Sequence, residues 1–114
     1  MATLTVQQVT RSGLRDDNVL VAAAGGGDSF LPGRDTYIRV NNAGGAPITV
    51  TVVSTSTLVG LAVADVSVSV TNAQSRLIGP FPPEHFADPT DGLADITYSG
   101  VTSVTVGAFN LSQP

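Results

Sequence analysis

The stretch Asp35 to Thr55, DTYIRVNNAGGAPITVTVVST, decides the fold. In its first half Ile38 and Val40 share one face, and in its second half Ile48, Val50 and Val52 do, with Thr49 and Thr51 opposite. A repeat of two is that of a β-strand, whose successive side chains point to opposite sides. Between the runs, Asn41-Asn42-Ala43-Gly44-Gly45-Ala46 supplies residues that tolerate turn conformations. Pro47 lacks an N–H and so suits a strand start or an edge. The two runs predict an antiparallel hairpin with a long loop.

The rest of the chain repeats this grammar. Thr3-Leu4-Thr5-Val6 alternates, with Leu4 and Val6 expected inward, and Arg11 to Asn18 reads as a polar loop. Val19 to Ala24 reads as a buried strand or, as the lesser alternative given its alanines, a helical turn, ended by Gly25-Gly26-Gly27, and Phe30 before Pro32-Gly33 reads as a loop residue plugging the end of the core. Thr57 to Leu61 is a Gly-broken apolar connection, whereas Val66, Val68 and Val70 alternate with Ser67 and Ser69 as a clear strand. Ser75 to Ile78 is a short strand running into Gly79-Pro80-Phe81-Pro82-Pro83, where the prolines forbid regular pairing. Pro83-Glu84-His85-Phe86 suits one helical turn with proline at its start, and Asp88 to Gly92 is a turn. Ile96 and Tyr98 resume the alternation, and Val104, Val106 and Ala108 form the last strand. Phe109 and Leu111 fall on the opposite parity: either a bulge near Gly107 returns them to the core or they face a second apolar surface.

About seven to nine short strands with turn signals at regular spacing predict an all-β, single-domain antiparallel β-sandwich or jelly-roll-like barrel. The 114 residues fit one such domain, 1–114, with 1–13 as a candidate N-terminal arm.

Charge is the unusual feature. Charged residues are 12% of the chain, against about 25% in an average soluble protein. All five basic residues are arginines, at 11, 15, 34, 39 and 76. Exposed sheet edges are normally guarded by charge, above all lysine, so the absence of lysine favours edges covered by a partner over edges covered by loops and proline. A net charge of −4 with scattered arginines gives no basic stripe for phosphates, which argues against nucleic acid as a partner. No apolar run approaches the roughly 20 residues of a membrane-spanning helix, so no membrane partner is expected. MATLTVQQVTRSG begins with alternation instead of a basic then apolar segment, so a chain used without export, or released by lysis, is expected.

Catalytic and metal chemistry finds little footing, and neither an enzyme nor a cofactor is expected. With no cysteine there is no disulfide, thiol nucleophile or Cys-ligated zinc. His85 is the single histidine, no Gly-x-Ser-x-Gly elbow accompanies it, and it reads as a loop residue beside Phe86. Asp88, Asp91 and Asp95 match no calcium-loop spacing and read as turn chemistry, as do Asp16, Asp17 and Asp28. Gly25-Gly26-Gly27-Asp28 lacks the lysine and helix of a phosphate loop. The triplet Asn110-Leu111-Ser112 fits a glycosylation acceptor, idle without export. Tyr37 and Tyr98 are the aromatic residues suited to a sugar platform, and for Tyr37, opposite Ile38 in phase, sheet packing is the plainer reading.

Three segments, Val40 to Val52, Arg76 to Pro83 and Ile96 to Val106, together resemble a type of small protein encoded among the virion structural genes of tailed bacteriophages, especially those infecting actinobacteria. The resemblance covers most of the chain from Asp28 onward and contains no functional motif. It implies a β-sandwich virion component, most plainly a decoration or cement protein on the outer capsid surface, assembled in the host cytoplasm. The implied partners are the major capsid protein and further copies of the chain. A tail or head-tail connector component and a virion-borne carbohydrate-binding module are the alternatives. Candidate contact residues are Leu4 and Val6 in the N-terminal stretch and Gly79, Pro80, Phe81, Pro82, Pro83, His85 and Phe86 in the proline-rich loop.

Overall fold

The computed structural model describes residues 2–14, 19–54, 57–58, 61–62, 64–88 and 91–111. Residues 15–18 of the expected polar loop, with Asp16 and Asp17, lie outside the described residues. So do Val59, Gly60, Val63, the Pro89-Thr90 part of the aspartate turn, and Ser112 of the glycosylation triplet.

The described strands are β1 (Ala2–Thr3), β2 (Val6–Gln8), β3 (Val21–Ala22), β4 (Asp28–Phe30), β5 (Thr36–Asn42), β6 (Ile48–Val53), β7 (Thr57–Leu58), β8 (Leu61–Ala62), β9 (Val66–Val70), β10 (Gln74–Ile78), β11 (Ala94–Tyr98) and β12 (Val104–Asn110). The single described helix, α1 (Pro83–Phe86), is one turn with proline at its start, as expected. Two sheets pack face to face: the first in the order β1-β4-β11-β6-β9, the second in the order β10-β5-β12-β2, with β3 also paired to β12. This is the sandwich form of the expected fold, and its sheets are mixed, because β1 runs parallel to β4 and β2 parallel to β12.

The expected hairpin is not formed. β5 and β6 are strands, but β5 pairs with β10 and β12 in one sheet while β6 pairs with β9 and β11 in the other. The connecting loop is an arch between sheets, and Asn42 shapes it. Its buried amide Nδ2 donates to the carbonyls of Ala46 (2.9 Å) and Val70 (3.1 Å), and its Oδ1 accepts from the Gly44 N–H (3.0 Å). The Val70 bond ties the end of β5 to the edge strand of the opposite sheet.

The inward faces do follow the alternation. Ile38, Val40, Ile48, Val50, Val52, Ile96, Val104, Val106 and Ala108 are buried between the sheets. Each large aliphatic residue among them contributes roughly 1.5–3 kcal/mol by leaving water. One end is closed by rings: Phe81 packs edge-on against Phe30 at 5.3 Å and against Phe86 at 5.2 Å. Phe30 thus plugs the end of the core as expected, but from the last position of strand β4 and not from a loop. Conversely, Val19 to Ala24 is no buried strand: β3 has two residues, both exposed, since it lies on the flank of β12.

The chain's first described residues do not stand off as an arm. Ala2–Thr3 pairs with β4 in the first sheet, the Leu4 N–H donates to the Ser29 carbonyl, and Val6–Gln8 pairs with β12 in the second. One continuous segment therefore stitches both sheets along one side of the sandwich. The opposite side is formed by β9 and β10, each the last strand of its sheet.

No bulge occurs at Gly107, because the pairing of β12 with β5 runs unbroken from Val104↔Asn42 to Asn110↔Thr36. Phe109 therefore faces away from the sandwich core, the second of the two outcomes left open by the sequence. It is still buried. Tyr37 stacks on it at 5.6 Å, and Leu20 lies so close over Gly107 that a Cβ there would come within 2.8 Å of its Cδ2.

Candidate functional site

The outer face of the β10-β5-β12 sheet carries a groove. Side chains opposite one another across an antiparallel pair share a face, so Tyr37 and Phe109 point outward together, as do Leu77 and Arg39. Beyond Phe109 the chain continues in register, with the Leu111 N–H donating to the Asp35 carbonyl at 3.1 Å. The result is a hollow of about 450 Å³ whose walls include Tyr37, Leu77, Gly79, Pro80 and Leu111, with Arg34 and Asp35 at one end. Leu77 is 66% exposed and Leu111 57%. Neither is a scattered surface leucine, because both border the same hollow.

The wall at Gly79 is tight. Gly79 lies so close to β5 that an added Cβ would come within 2.7 Å of Tyr37 Cβ and 2.9 Å of Tyr37 Cα. The following Gly79-Pro80 bond is cis. Beside this end of the groove, Arg34 pairs with Glu84 at 2.9 Å, fastening α1 to the turn before β5. Both partners are well exposed, so the pair orients more than it stabilises.

The sequence-predicted contact residues separate into two groups. Gly79 and Pro80 line the groove, whereas Pro83 is exposed outside its lining and Pro82 and His85 are half-buried. Phe81 and Phe86 are core residues, 1% and 7% exposed, and support the loop from beneath. Leu4 is buried too, and with half-buried Val6 it lies along the stitched side, separated from the proline loop by β5 and β12. The structure does not bring the N-terminal residues and the loop together.

Sequence reasoning missed Leu77, and it offered Leu111 only as a residue facing a second apolar surface, not as a contact residue. The signal was present: Leu77 sits one residue off the inward parity of Ile78, and Leu111 shares the parity of Phe109. Of the two tyrosines weighed as sugar platforms, Tyr37 borders the groove, whereas the Tyr98 hydroxyl is turned toward buried Asp28, to which it donates at 2.8 Å.

Other chemistry-bearing residues are spoken for locally. Ser54 donates its hydroxyl hydrogen to the main-chain carbonyl of His85, 2.8 Å away, and not to the imidazole. Asp91 accepts from the Leu93 N–H at 3.0 Å, the turn role expected of it. Asp95 is raised above the usual carboxylate range, first by burial and then by the negative charges of Asp91 and Asp88. Among the described residues no group of three or more histidine and carboxylate side chains is placed to hold a metal ion, and no helix is long and apolar enough to cross a membrane.

The fold and groove define a charge-poor β-sandwich with an apolar recess on the outside of one sheet. Comparison with protein-family models, with curated proteins and with solved structures found nothing that matches the chain.

Proposed function

We propose that this chain is a non-enzymatic structural protein of a tailed-bacteriophage virion that decorates the outer surface of the head. The groove face is the surface it lays on capsid protein. The observation that carries the reading is the recess bordered by Tyr37, Leu77, Pro80 and Leu111, which leaves two leucines more than half exposed on a domain with few charges. Exposed apolar side chains that share one recess offer a place on which another surface can pack. The resemblance of Val40 to Val52, Arg76 to Pro83 and Ile96 to Val106 to virion proteins supplies the kind of surface. A net charge of −4 suits the outside of a capsid better than its DNA-lined interior.

Two physical effects make such a role workable with weak contacts. A lattice of identical sites raises effective concentration, so modest single affinities still give full occupancy. A protein that binds the assembled shell and not free subunits stabilises the shell by mass action.

The test is co-sedimentation of the purified chain with capsids that lack it, counting bound copies per particle. Saturable binding at lattice-like copy number, lost in a Leu77→Asp/Leu111→Asp variant that keeps its circular dichroism spectrum, is the expected result. Binding in a single ring's worth of copies would move the protein to the tail or connector. No binding to virion parts would remove the proposal.

A further inference from the structure

The side of the sandwich opposite the N-terminal stitch ends in β9 and β10, and the two edges are guarded differently. On β10 the residue at the core-facing position opposite Val40 is Arg76. A charge at an inward position of an edge strand is a recognised guard against pairing with another chain. Two β10 strands meeting antiparallel about their midpoint would also set Arg76 against Arg76 of the second copy. β9 has no such guard. Val66-Ser67-Val68-Ser69-Val70 carries neither charge nor proline, and it pairs with β6 on one side and, among the described residues, with no strand on the other.

The order of residues in β9 reads the same in both directions. We propose that β9 pairs antiparallel with β9 of a second copy of this chain, about a two-fold axis through Val68, joining the two β9-bearing sheets into one. In that register Val66 faces Val70 of the second copy, Ser67 faces Ser69, and Val68 faces itself. The valines share the core face with Ile48, Val50 and Val52, their partners on β6. Val66 and Val68 are half-buried in the single chain, packed against the edge of the core, and the pairing completes their burial. On the outer face the serines extend a row of hydroxyls that already includes the 3.3 Å contact between Thr51 Oγ1 and Ser67 Oγ. A slip of one residue would put valine on the serine face, so the pattern fixes the register. Asp65, the nearest charge in sequence, falls opposite Thr71 of the second copy and meets no like charge. This inference stands apart from the capsid reading and does not use the groove.

The chain has no cysteine, which makes a single-cysteine probe clean. Residues directly opposite in an antiparallel pair have Cα atoms about 4.5–5.5 Å apart, within disulfide reach. Under mild oxidation Val68→Cys is expected to cross-link to a dimer, whereas Ser75→Cys on β10 is expected to stay monomeric. Sedimentation of the unaltered chain is expected to show a concentration-dependent dimer. In a Ser67→Lys/Ser69→Lys variant, with two exposed positions changed and the fold checked by circular dichroism, like charges face each other across the axis and weaken that dimer roughly tenfold. Mixing it with a Ser67→Glu/Ser69→Glu variant restores association. A chain that stays monomeric with no Val68→Cys cross-link, a dimer indifferent to the paired lysines, or cross-linking at Ser75→Cys in place of Val68→Cys would each overturn the proposal.

Discussion

Tyr98 donates its phenol hydrogen to the Asp28 carboxylate across 2.8 Å, joining strands β11 and β4 through residues 70 apart in sequence. Asp28 is completely buried. Its Oδ2 also accepts from the Ala24 N–H at 3.2 Å, while Oδ1 finds no donor among the described residues. A buried carboxyl with one oxygen unpartnered depends heavily on the donors it does have. Tyr98→Phe, which removes one of them without changing the ring, is expected to cost about 1.5–3 kcal/mol in urea unfolding at neutral pH. A loss within about 0.5 kcal/mol would show the carboxyl to be satisfied elsewhere.

The same contact sets an alkaline limit. Burial, then the hydrogen bond to Asp28 and the charge of that carboxylate, push Tyr98 well above its ordinary value of 10.0. The fold thus favours the neutral phenol. Its contribution is fully present below about pH 10, and is lost as pH rises further, because the unfolded chain then ionises Tyr98 and the folded chain does not. The unaltered chain is expected to lose up to about 1.4 kcal/mol of stability per pH unit above pH 10 relative to Tyr98→Phe. Denaturation midpoints of both proteins between neutral and strongly alkaline pH measure it, and parallel curves would refute it.

Asn42 carries the crossing between sheets. Replacing it by alanine frees the Gly44 N–H and withdraws the donor from the Ala46 and Val70 carbonyls, the latter in a buried bond. Each buried polar group left unpaired costs about 1–3 kcal/mol, so Asn42→Ala is expected to be among the most damaging polar substitutions in the chain. Asn72→Ala, at an exposed turn residue, is the matched control and should be near neutral by thermal unfolding.

Asn42 also shows where the sequence stops being legible. Period-two patterning places Ile38, Val40, Val50 and Val52 on the right faces, because burial on a pleated strand is a local property. It does not say which strand lies beside which, since pairing is a contact between distant segments. The loop from Asn42 to Pro47 reads equally as a long hairpin turn or as an arch, and the buried amide that decides between them is spent on Val70, 28 residues away. The groove hides for a related reason. Leu77 looks like an ordinary strand residue, and the off-parity Leu111 points only to some second apolar surface, until the β10-β5-β12 order puts both beside Tyr37.

Asp95 offers a test of the acidic turn. Its raised pKa means that the folded chain holds this proton more tightly than the unfolded chain, whose value is near 3.8. The proton-linked stability is therefore present below that pH and is lost as pH rises through the folded value. Asp95→Asn, which removes the charge facing Asp91 and Asp88, is expected to unfold at a slightly higher denaturant concentration than the unaltered chain at neutral pH. Below about pH 3.8 the two should converge. A variant less stable at neutral pH would show that Asp95 holds a contact worth more than the repulsion it feels.

Gly79 links stability to the groove. Its Cα approaches β5 so closely that the Cβ of Gly79→Ala would press on the Cα of Tyr37, which is main chain and not the end of a flexible side chain. Either the exit of β10 or the neighbouring stretch of β5 must move, and forced displacement in a packed region costs about 1–3 kcal/mol. Both movements also shift a groove wall, because Tyr37, Gly79 and Pro80 line the same hollow. Gly45→Ala is the control: nothing lies within 4 Å of the added Cβ, and a change within about 0.5 kcal/mol is expected. The check is a pair of urea curves, in which Gly79→Ala should move the midpoint down without altering the slope. Coincident midpoints for the two variants would mean that β10 and Tyr37 separate at no cost, and that the groove wall is not held in a fixed shape.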